Sequence, residues 1–541
     1  MWVTMTPGTE IRHRLPLTGD TRSPPGRRRG TLMQFTRRAA LTTGISAGAL
    51  MGSGVLAGGV APALASAAPA LVAQQAPARI ASFPVGYSLG SNILWGTTAE
   101  VDQTLDAIAN IGGTIVRIDI MWYWVQPTSS TTFDWSRVDY MVAGALARGL
   151  SILGIILSSP PWASLGGVKT VSTDRPRTAA LYGTFAGAVA KRYKGKIGAY
   201  EIWNEPNGRE AFTPNPDPAF YAQMVKAAYP AIKKADPAAK VVAGALGPAP
   251  TADGLIDPVT FMNGMYAAGA QGFFDAFSFH PYDFDYTLSP SCLWDTTPMR
   301  RMIEMHAIMK AKGDGSKKIW LTEYGVPTNL YSQQHVSDMI ADTLMTWNEV
   351  SYAGPVYIYT VRDGTTDTDS FGAVTNDFQA KTSAYTVQYL QSQGMPGRNE
   401  GSVFAGSPDS ALGPTVSPVY ALGRGYAQEC ENGTRFLTNN GWFSSPTDVG
   451  TLARRFQIVP STALVNGRQD FDVDGGFAIF TSASTGTHAV YGAILSTYVP
   501  SLGLPTTDEY AYQGTTSRAV DFQGGQIVWS PTTGSTLSMK S

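Results

Sequence analysis

The chain has 541 residues, 43% of them hydrophobic and only 15% charged, enough apolar material for one large core and a smaller second one. Lys and Arg number 40 against 41 Asp and Glu, a formal net charge of -1, so no field of one sign draws the chain to nucleic acid or to an anionic lipid surface, and a neutral partner is expected. Two cysteines, Cys292 and Cys430, exclude a disulfide-built fold; whether they pair or stay as separate buried thiols is open in the sequence. No CxxC or Cys/His cluster suggests zinc, and no metal or organic cofactor is expected.

The N-terminal stretch reads as an address rather than as fold. Thr36-Arg37-Arg38-Ala39-Ala40-Leu41 resembles the twin-arginine export motif, the run from Ile45 to Leu64 is apolar and rich in Gly and Ala, and Ala63-Leu64-Ala65 fits a small-residue cleavage site. A membrane-spanning helix is the competing reading; the Gly and Ala content and the cleavage signals speak against it. Residues 1–70 are expected to direct export to the outside of the cell or to its wall, with Met33 as the start and residues 1–32 lying upstream of it.

From Val85 onward, short apolar β-rich runs alternate with amphipathic stretches, as in βα units around a parallel sheet. The runs are Val85 to Gly90, Thr114 to Trp122, Ser151 to Ser159, Ala199 to Glu205, Val241 to Leu246, Ala276 to Tyr282, Ile319 to Gly325 and Val356 to Asp363. Helix-like segments between them include Ala99 to Ile111, Thr178 to Tyr193, Asp217 to Ala235 and Val336 to Val350. Eight such repeats predict an α/β fold, a closed (βα)8 TIM barrel over residues 78–393. An open doubly wound sheet would want a Gly-rich phosphate turn after its first strand, and Gly86-Tyr87-Ser88-Leu89-Gly90 is a poor one.

Gly, Ser and Pro cluster over residues 394–418, which read as a linker. Residues 419–541 lack helical periodicity but repeat themselves, which predicts a smaller β-rich repeat domain. Leu422-Gly423 with Glu429 matches Leu502-Gly503 with Glu509, and Gly475-Gly476-Phe477-Ala478-Ile479-Phe480 matches Gly524-Gly525-Gln526-Ile527-Val528-Trp529. With Leu502-Gly503-Leu504-Pro505 and Val528 to Gly534, this tail resembles the LGFP repeat of secreted proteins from mycolic-acid-containing actinobacteria. The resemblance implies cell-envelope attachment through residues 419–541; a β-rich cap without that role is the alternative.

The sharpest chemical signal is Ile202-Trp203-Asn204-Glu205-Pro206-Asn207, at the C-terminal end of the fourth run, the end at which barrel enzymes hold their active sites. Cleaving a glycosidic bond with retention needs one carboxylic acid to protonate the leaving oxygen and a second carboxylate, roughly 5–5.5 Å away, to attack the anomeric carbon. Ile319-Trp320-Leu321-Thr322-Glu323-Tyr324-Gly325 supplies the second at the end of the seventh run, which in a closed barrel faces the fourth across the mouth. On these motifs the segment from Val85 to Tyr385 resembles the clan A glycoside hydrolases, which use glutamates on strands four and seven. Val116-Arg117-Ile118-Asp119 with Trp122, Phe133-Asp134-Trp135 and Pro160-Pro161-Trp162 resemble family 39 and family 5 members, and Gln126-Pro127 departs from the Glu-Pro common among them.

The resemblance implies a retaining glycosidase acting on a polysaccharide or oligosaccharide, with Glu205 as acid/base and Glu323 as nucleophile. Glu205 then has to carry a proton and Glu323 has to stay ionised. Arg117 and Tyr282 are candidates to hold Glu323, Asn204 to bond the sugar 2-hydroxyl, and His280, which shares a strand face with Tyr282, to support substrate or nucleophile. Arg117 could instead pair with Asp119 as a structural ion pair. Trp122, Trp162 and Trp203 are candidates for a sugar platform or for core. Tyr357 and Tyr359 stand where many relatives carry Trp; alternation does not choose between them, and Tyr359 is the one assigned to substrate. Two competing functions share these residues: a transglycosylase remodelling wall glycan, and a non-catalytic carbohydrate-binding protein, which predicts loss of a carboxylate that this chain retains.

Overall fold

The computed structural model describes residues 83–90, 92–94, 96–167, 173–365, 370–398, 403–404 and 410–540. The twin-arginine motif and the rest of residues 1–70 lie outside them.

Eight strands, β1 (Val85–Ser88), β2 (Ile115–Met121), β3 (Ser151–Leu157), β4 (Ala199–Ile202), β5 (Lys240–Leu246), β6 (Ala276–Phe279), β7 (Ile319–Tyr324) and β8 (Ala353–Tyr359), close into one parallel barrel in sequence order. Closure is direct, because β1 pairs with both β2 and β8. Helices α1 (Thr98–Asn110), α2 (Ser136–Ala147), α3 (Ala179–Arg192), α4 (Pro218–Ala235), α5 (Pro258–Ala267), α6 (Pro298–Ala311), α7 (Gln333–Trp347) and α8 (Thr382–Ser392) follow the strands one by one. Local chemistry sets their starts. Thr97 and Glu100 form a reciprocal capping box ahead of α1, and α4 and α5 each begin with an Asp cap followed by Pro, whose missing N–H costs nothing in a first turn.

Alternation along the strands sorts the barrel interior into layers. Ile115, Leu153, Ala199, Val242, Ala276, Trp320 and Tyr357 form one buried apolar cluster from seven strands, a floor that fills the barrel. Two residues further along those strands stand Arg117, Glu201, Ser278, Thr322 and Tyr359, so a polar layer lies directly over the apolar one. The ladders stop earlier than the apolar runs suggest. β4 ends at Ile202 and β6 at Phe279, and Glu205, His280 and Tyr282 stand just beyond them, where Trp203 (φ 66°) and Glu205 (φ 44°) have left the β region.

Beyond the barrel come three antiparallel sheets: β9 (Tyr420–Leu422) to β12 (Gly441–Ser445), β13 (Arg468–Phe471) to β15 (Gly486–Tyr491), and β16 (Tyr510–Ala511) to β19 (Gly534–Met539). Helices α9 (Thr447–Phe456) and α10 (Gly492–Thr497) separate them. The first sheet packs on the barrel through a buried bidentate pair: Arg300 of α6 donates to Glu429 Oε2 at 2.8 Å and Oε1 at 2.6 Å. Burial opposes the charge on Glu429, but Arg300 holds its carboxyl below the ordinary range. The stretch read as a linker also runs along the barrel where it is described. The Ser351 amide donates to the Thr415 carbonyl at 3.0 Å, and Tyr352 Oη donates to that of Val416 at 3.0 Å. A Gly/Pro/Ser-rich composition frees the backbone from regular structure without requiring it to span solvent. Cys292 and Cys430 are both buried, and no disulfide joins them.

Candidate active site

The mouth is organised around one guanidinium. Arg117, on β2 and almost fully buried, donates Nε to Glu201 at 2.7 Å, Nη1 to Glu323 Oε1 at 2.5 Å and to Ser88 Oγ at 3.2 Å, and Nη2 to Asn204 Oδ1 at 2.8 Å. Four strands therefore meet at one side chain whose planar fork fixes each partner in direction as well as distance. Burial alone would lower the pKa of Arg117, but the carboxylates of Glu201, Glu323 and Asp119 hold it above even the ordinary guanidinium range. The direct ion pairs of Arg117 are with Glu201 and Glu323; Asp119 acts on it as a nearby charge. Burial pushes the Asp119 carboxyl up to about 6 against the pull of Arg117, and Glu323 and Glu201 add to the rise.

The two sequence-nominated carboxylates flank a single imidazole. His280 Nδ1 lies 3.1 Å from Glu205 Oε1 and 3.8 Å from Glu323 Oε2, while its Nε2 lies 3.1 Å from Thr322 Oγ1. His280 is fully buried, which disfavours its cation, yet the charge of Glu323 and the hydrogen bond and charge of Glu205 raise its pKa above the ordinary imidazole value. Tyr282 Oη donates to Glu323 Oε2 at 3.1 Å, and burial, with the charge of Glu323 next, drives its own pKa well up and keeps it a donor. Glu323 thus receives Arg117 on one oxygen and Tyr282 on the other. Its side chain is 14% exposed against 35% for Glu205, so Glu205 stands nearer solvent.

Local irregularities aim these groups. Strict alternation along β7 would turn Glu323 away from Thr322, but the register against β8 shifts between Leu321 and Tyr324 and brings it into the mouth. Gly325 permits this, since a Cβ there would fall 1.8 Å from the Tyr359 carbonyl oxygen. Glu205 is held by its amide, which donates to the Ala245 carbonyl at 3.0 Å. Next to it Asn207 donates to the Gly247 and Ile256 carbonyls, both at 2.9 Å, and accepts from the Gly247 amide at 2.9 Å, tying the loop after β4 to the one after β5. A non-glycine residue in the left-handed region, as at Trp203 and Glu205, is costly and persists only where its surroundings over-determine it.

Arg117, Asn204, Glu205, His280, Tyr282 and Glu323 are all brought together. The platform assignment for Trp122 is corrected. Its ring is fully buried, stacked on Phe185 at 5.1 Å and met edge-on by Trp162 at 5.7 Å, and its Nε1 donates to Gln126 Oε1 at 2.8 Å, so it has no face left for a sugar. Trp203 is core for the same reason, buried against Phe212 with Nε1 donating to the Ala211 carbonyl at 2.8 Å. Trp162 is partly buried and donates Nε1 to the Gln126 carbonyl at 2.8 Å, so Gln126 holds two indoles. Tyr357 belongs to the apolar floor; Tyr359 is half-buried, edge-on to Phe371 at 5.6 Å, in the polar layer above.

Sequence reasoning passed over Glu201 and gave Thr322 no role beyond its place in the motif at Glu323. The signal for Glu201 was present, an acidic residue in the middle of an apolar run and four residues before Glu205. Among the described residues no group of three or more His, Cys, Asp or Glu is arranged to hold a metal ion, and no helix is long and apolar enough to cross a membrane.

Comparison with known proteins places these features. The sequence matches the family described as cellulase (glycosyl hydrolase family 5) over residues 75–354, just over half of the chain, and the LGFP repeat over residues 502–537. Among solved structures it is similar to a family 39 glycoside hydrolase from the gut symbiont Bacteroides cellulosilyticus WH2, at 18% identity and TM-score 0.47, over 66% of this chain and 71% of that one. It is also similar to a GH5_18 protein from Streptomyces cattleya in complex with GlcNAc (16%, TM-score 0.44, 58% and 80%). An exo-β-1,4-mannosidase from Opitutaceae bacterium strain TAV5 gives 14%, TM-score 0.41, 60% and 63%. No curated protein matches the chain.

Proposed function

The chain belongs to glycosyl hydrolase family 5, and from that premise we propose that it is an exported retaining glycosidase that cleaves a polysaccharide or oligosaccharide by double displacement between Glu323 and Glu205. One observation carries the reading: the two carboxylates at the ends of β4 and β7 flank the same nitrogen of His280, at 3.1 and 3.8 Å, so those oxygens are at most about 7 Å apart. That bound accommodates the retaining arrangement, with carboxyls roughly 5–5.5 Å apart, and leaves room for only the shortest of the inverting separations, roughly 6.5–9.5 Å.

In the first step Glu323 attacks the anomeric carbon as the glycosidic C–O bond breaks, and the proton of Glu205 goes to the leaving oxygen. In the second, Glu205 takes a proton from water, whose oxygen displaces Glu323 from the anomeric carbon. Arg117 and Tyr282 orient the nucleophile through one oxygen each, and His280 joins the two carboxylates. Asn204, whose oxygen is taken by Arg117, offers its amide nitrogen to the sugar 2-hydroxyl. The twin-arginine motif and the LGFP match support action outside the cell at the envelope, so a wall glycan heads the substrates to screen, followed by plant polysaccharides.

The test is kinetic and stereochemical. Glu323→Ala is expected to abolish turnover, and Glu205→Ala to lose about 10²–10⁴-fold on poor leaving groups while azide restores turnover of an activated aryl glycoside. The first-formed product, followed by NMR, is expected to keep the anomeric configuration of the substrate; an inverted product, or a working Glu323→Ala enzyme, overturns the assignment. Adding an acceptor sugar shows whether transfer accompanies hydrolysis.

A further inference from the structure

The loop joining β6 to α6 starts in the catalytic site and carries two further groups of aromatic rings. Tyr282, which holds Glu323, faces Phe284 at 6.1 Å between ring centroids, and Phe284 also packs on Phe371 at 6.1 Å. Next come Tyr286 and Trp294, whose rings lie 5.1 Å apart and are 53% and 40% exposed. Large aromatics earn their place by burial, so two held against each other in solvent call for an explanation.

The loop that carries them is tied at each stage. Asp283 Oδ1 accepts the amides of Asp285 and Tyr286, both at 3.0 Å. Asp342 of α7 accepts the Ser289 amide at 3.0 Å and its hydroxyl at 2.7 Å. The last tie comes from the C-terminal module. Arg454 of α9 donates to the Leu293 carbonyl and to Asp295 Oδ1, both at 2.9 Å, on either side of Trp294. The pair is thus a braced platform on the catalytic side of the barrel, carried by the same loop as Tyr282.

We propose that the loop from Asp283 to Thr297, braced by Arg454 of the repeat module, is a glycan-binding subsite in which Tyr286 and Trp294 stack on a sugar unit of the chain that Glu205 and Glu323 cut. The proposal rests on the glycosidase reading for its ligand class. Aromatic faces match the C–H faces of a sugar ring, and a remote subsite puts binding energy from unreacting units into holding the scissile bond in place. The repeat module then has a second role besides any attachment: it completes a substrate loop of the barrel.

The experiment is affinity electrophoresis of full-length Glu323→Gln protein in native gels containing hydroxyethyl cellulose, glucomannan or arabinogalactan. At least one polymer should retard it, and adding Tyr286→Ala with Trp294→Ala should weaken the apparent affinity by about tenfold or more. Trp294→Phe should keep most of the retardation. Arg454→Ala, which leaves both rings in place, should weaken it several-fold. Melting curves confirm that each variant is folded. Retardation unchanged by the double substitution, or none in any gel, overturns the subsite; unchanged retardation of Arg454→Ala overturns the bracing. Turnover of aryl glycosides by the wild type is scored separately, so a retarded protein without turnover sinks the glycosidase reading and leaves the subsite standing.

Discussion

Around Arg117 one cation faces three carboxylates, and each should answer differently to substitution. Glu201 shares a fully buried pair with it, and one carboxylate oxygen, Oε1, has no hydrogen-bond partner. Glu201→Ala should therefore cost about 3–5 kcal/mol, because it strips a buried guanidinium of one counter-charge, and urea unfolding should show the loss together with reduced turnover. Asp119 behaves oppositely. Its carboxyl is raised to about 6 in the fold, so the folded chain binds that proton more tightly than the unfolded one. The group favours the fold at acid pH, and the contribution is lost as pH climbs from about 4 through about 6. Asp119→Asn keeps the neutral form throughout. It should lie close to the wild type at pH 4 and exceed it at pH 7.5 by on the order of 3 kcal/mol; equal stability at both pH values would refute the buried-charge account. His280 has the same sign. Its raised pKa stabilises the fold below the ordinary imidazole value, and the advantage over His280→Gln should shrink as pH rises past it.

At the scale of elements, the seventh strand and its neighbour depend on a missing side chain. Gly325→Ala forces a methyl into the Tyr359 carbonyl, and it should destabilise by about 1–3 kcal/mol or more and lower turnover by moving Glu323; an unchanged melting temperature would refute this. The eight strands were legible because parallel strands buried on both faces read as apolar runs, and β1 to β8 fall within or beside the runs from Val85 to Gly90 through Val356 to Asp363. What escaped is where β ladder gives way to special backbone. The motif at Glu205 continues the apolar run, while its φ of 44° lies outside any β pattern, and the register shift before Tyr324 leaves no mark in residue type. Trp122 and Trp203 show the same limit. An aromatic at a strand end suits a sugar or a core equally well, and only neighbours such as Phe185 and Phe212 decide.

For the whole molecule, Arg300 and Glu429 are the most buried of the ion pairs that join the barrel to its tail, which also include Arg454 with Asp295 and Lys310 with Glu431. Glu429→Ala leaves Arg300 buried without its bidentate partner and should cost about 3–5 kcal/mol, whereas removing both partners should cost less than the sum; a double-mutant cycle on thermal unfolding measures the difference. The tail was legible as a repeat because Leu422-Gly423 and Leu502-Gly503 recur, but its attachment was not, since Arg300 and Glu429 are far apart in the sequence and neither stands in a motif that names the other. The floor of Trp320, Tyr357 and their neighbours has a last consequence for traffic. It turns the barrel into a cup closed at the bottom, so a glycan cannot be threaded through it; the chain must drape across the rim or dip one end in, and both pieces of a cut strand have to leave by the opening through which the whole one came.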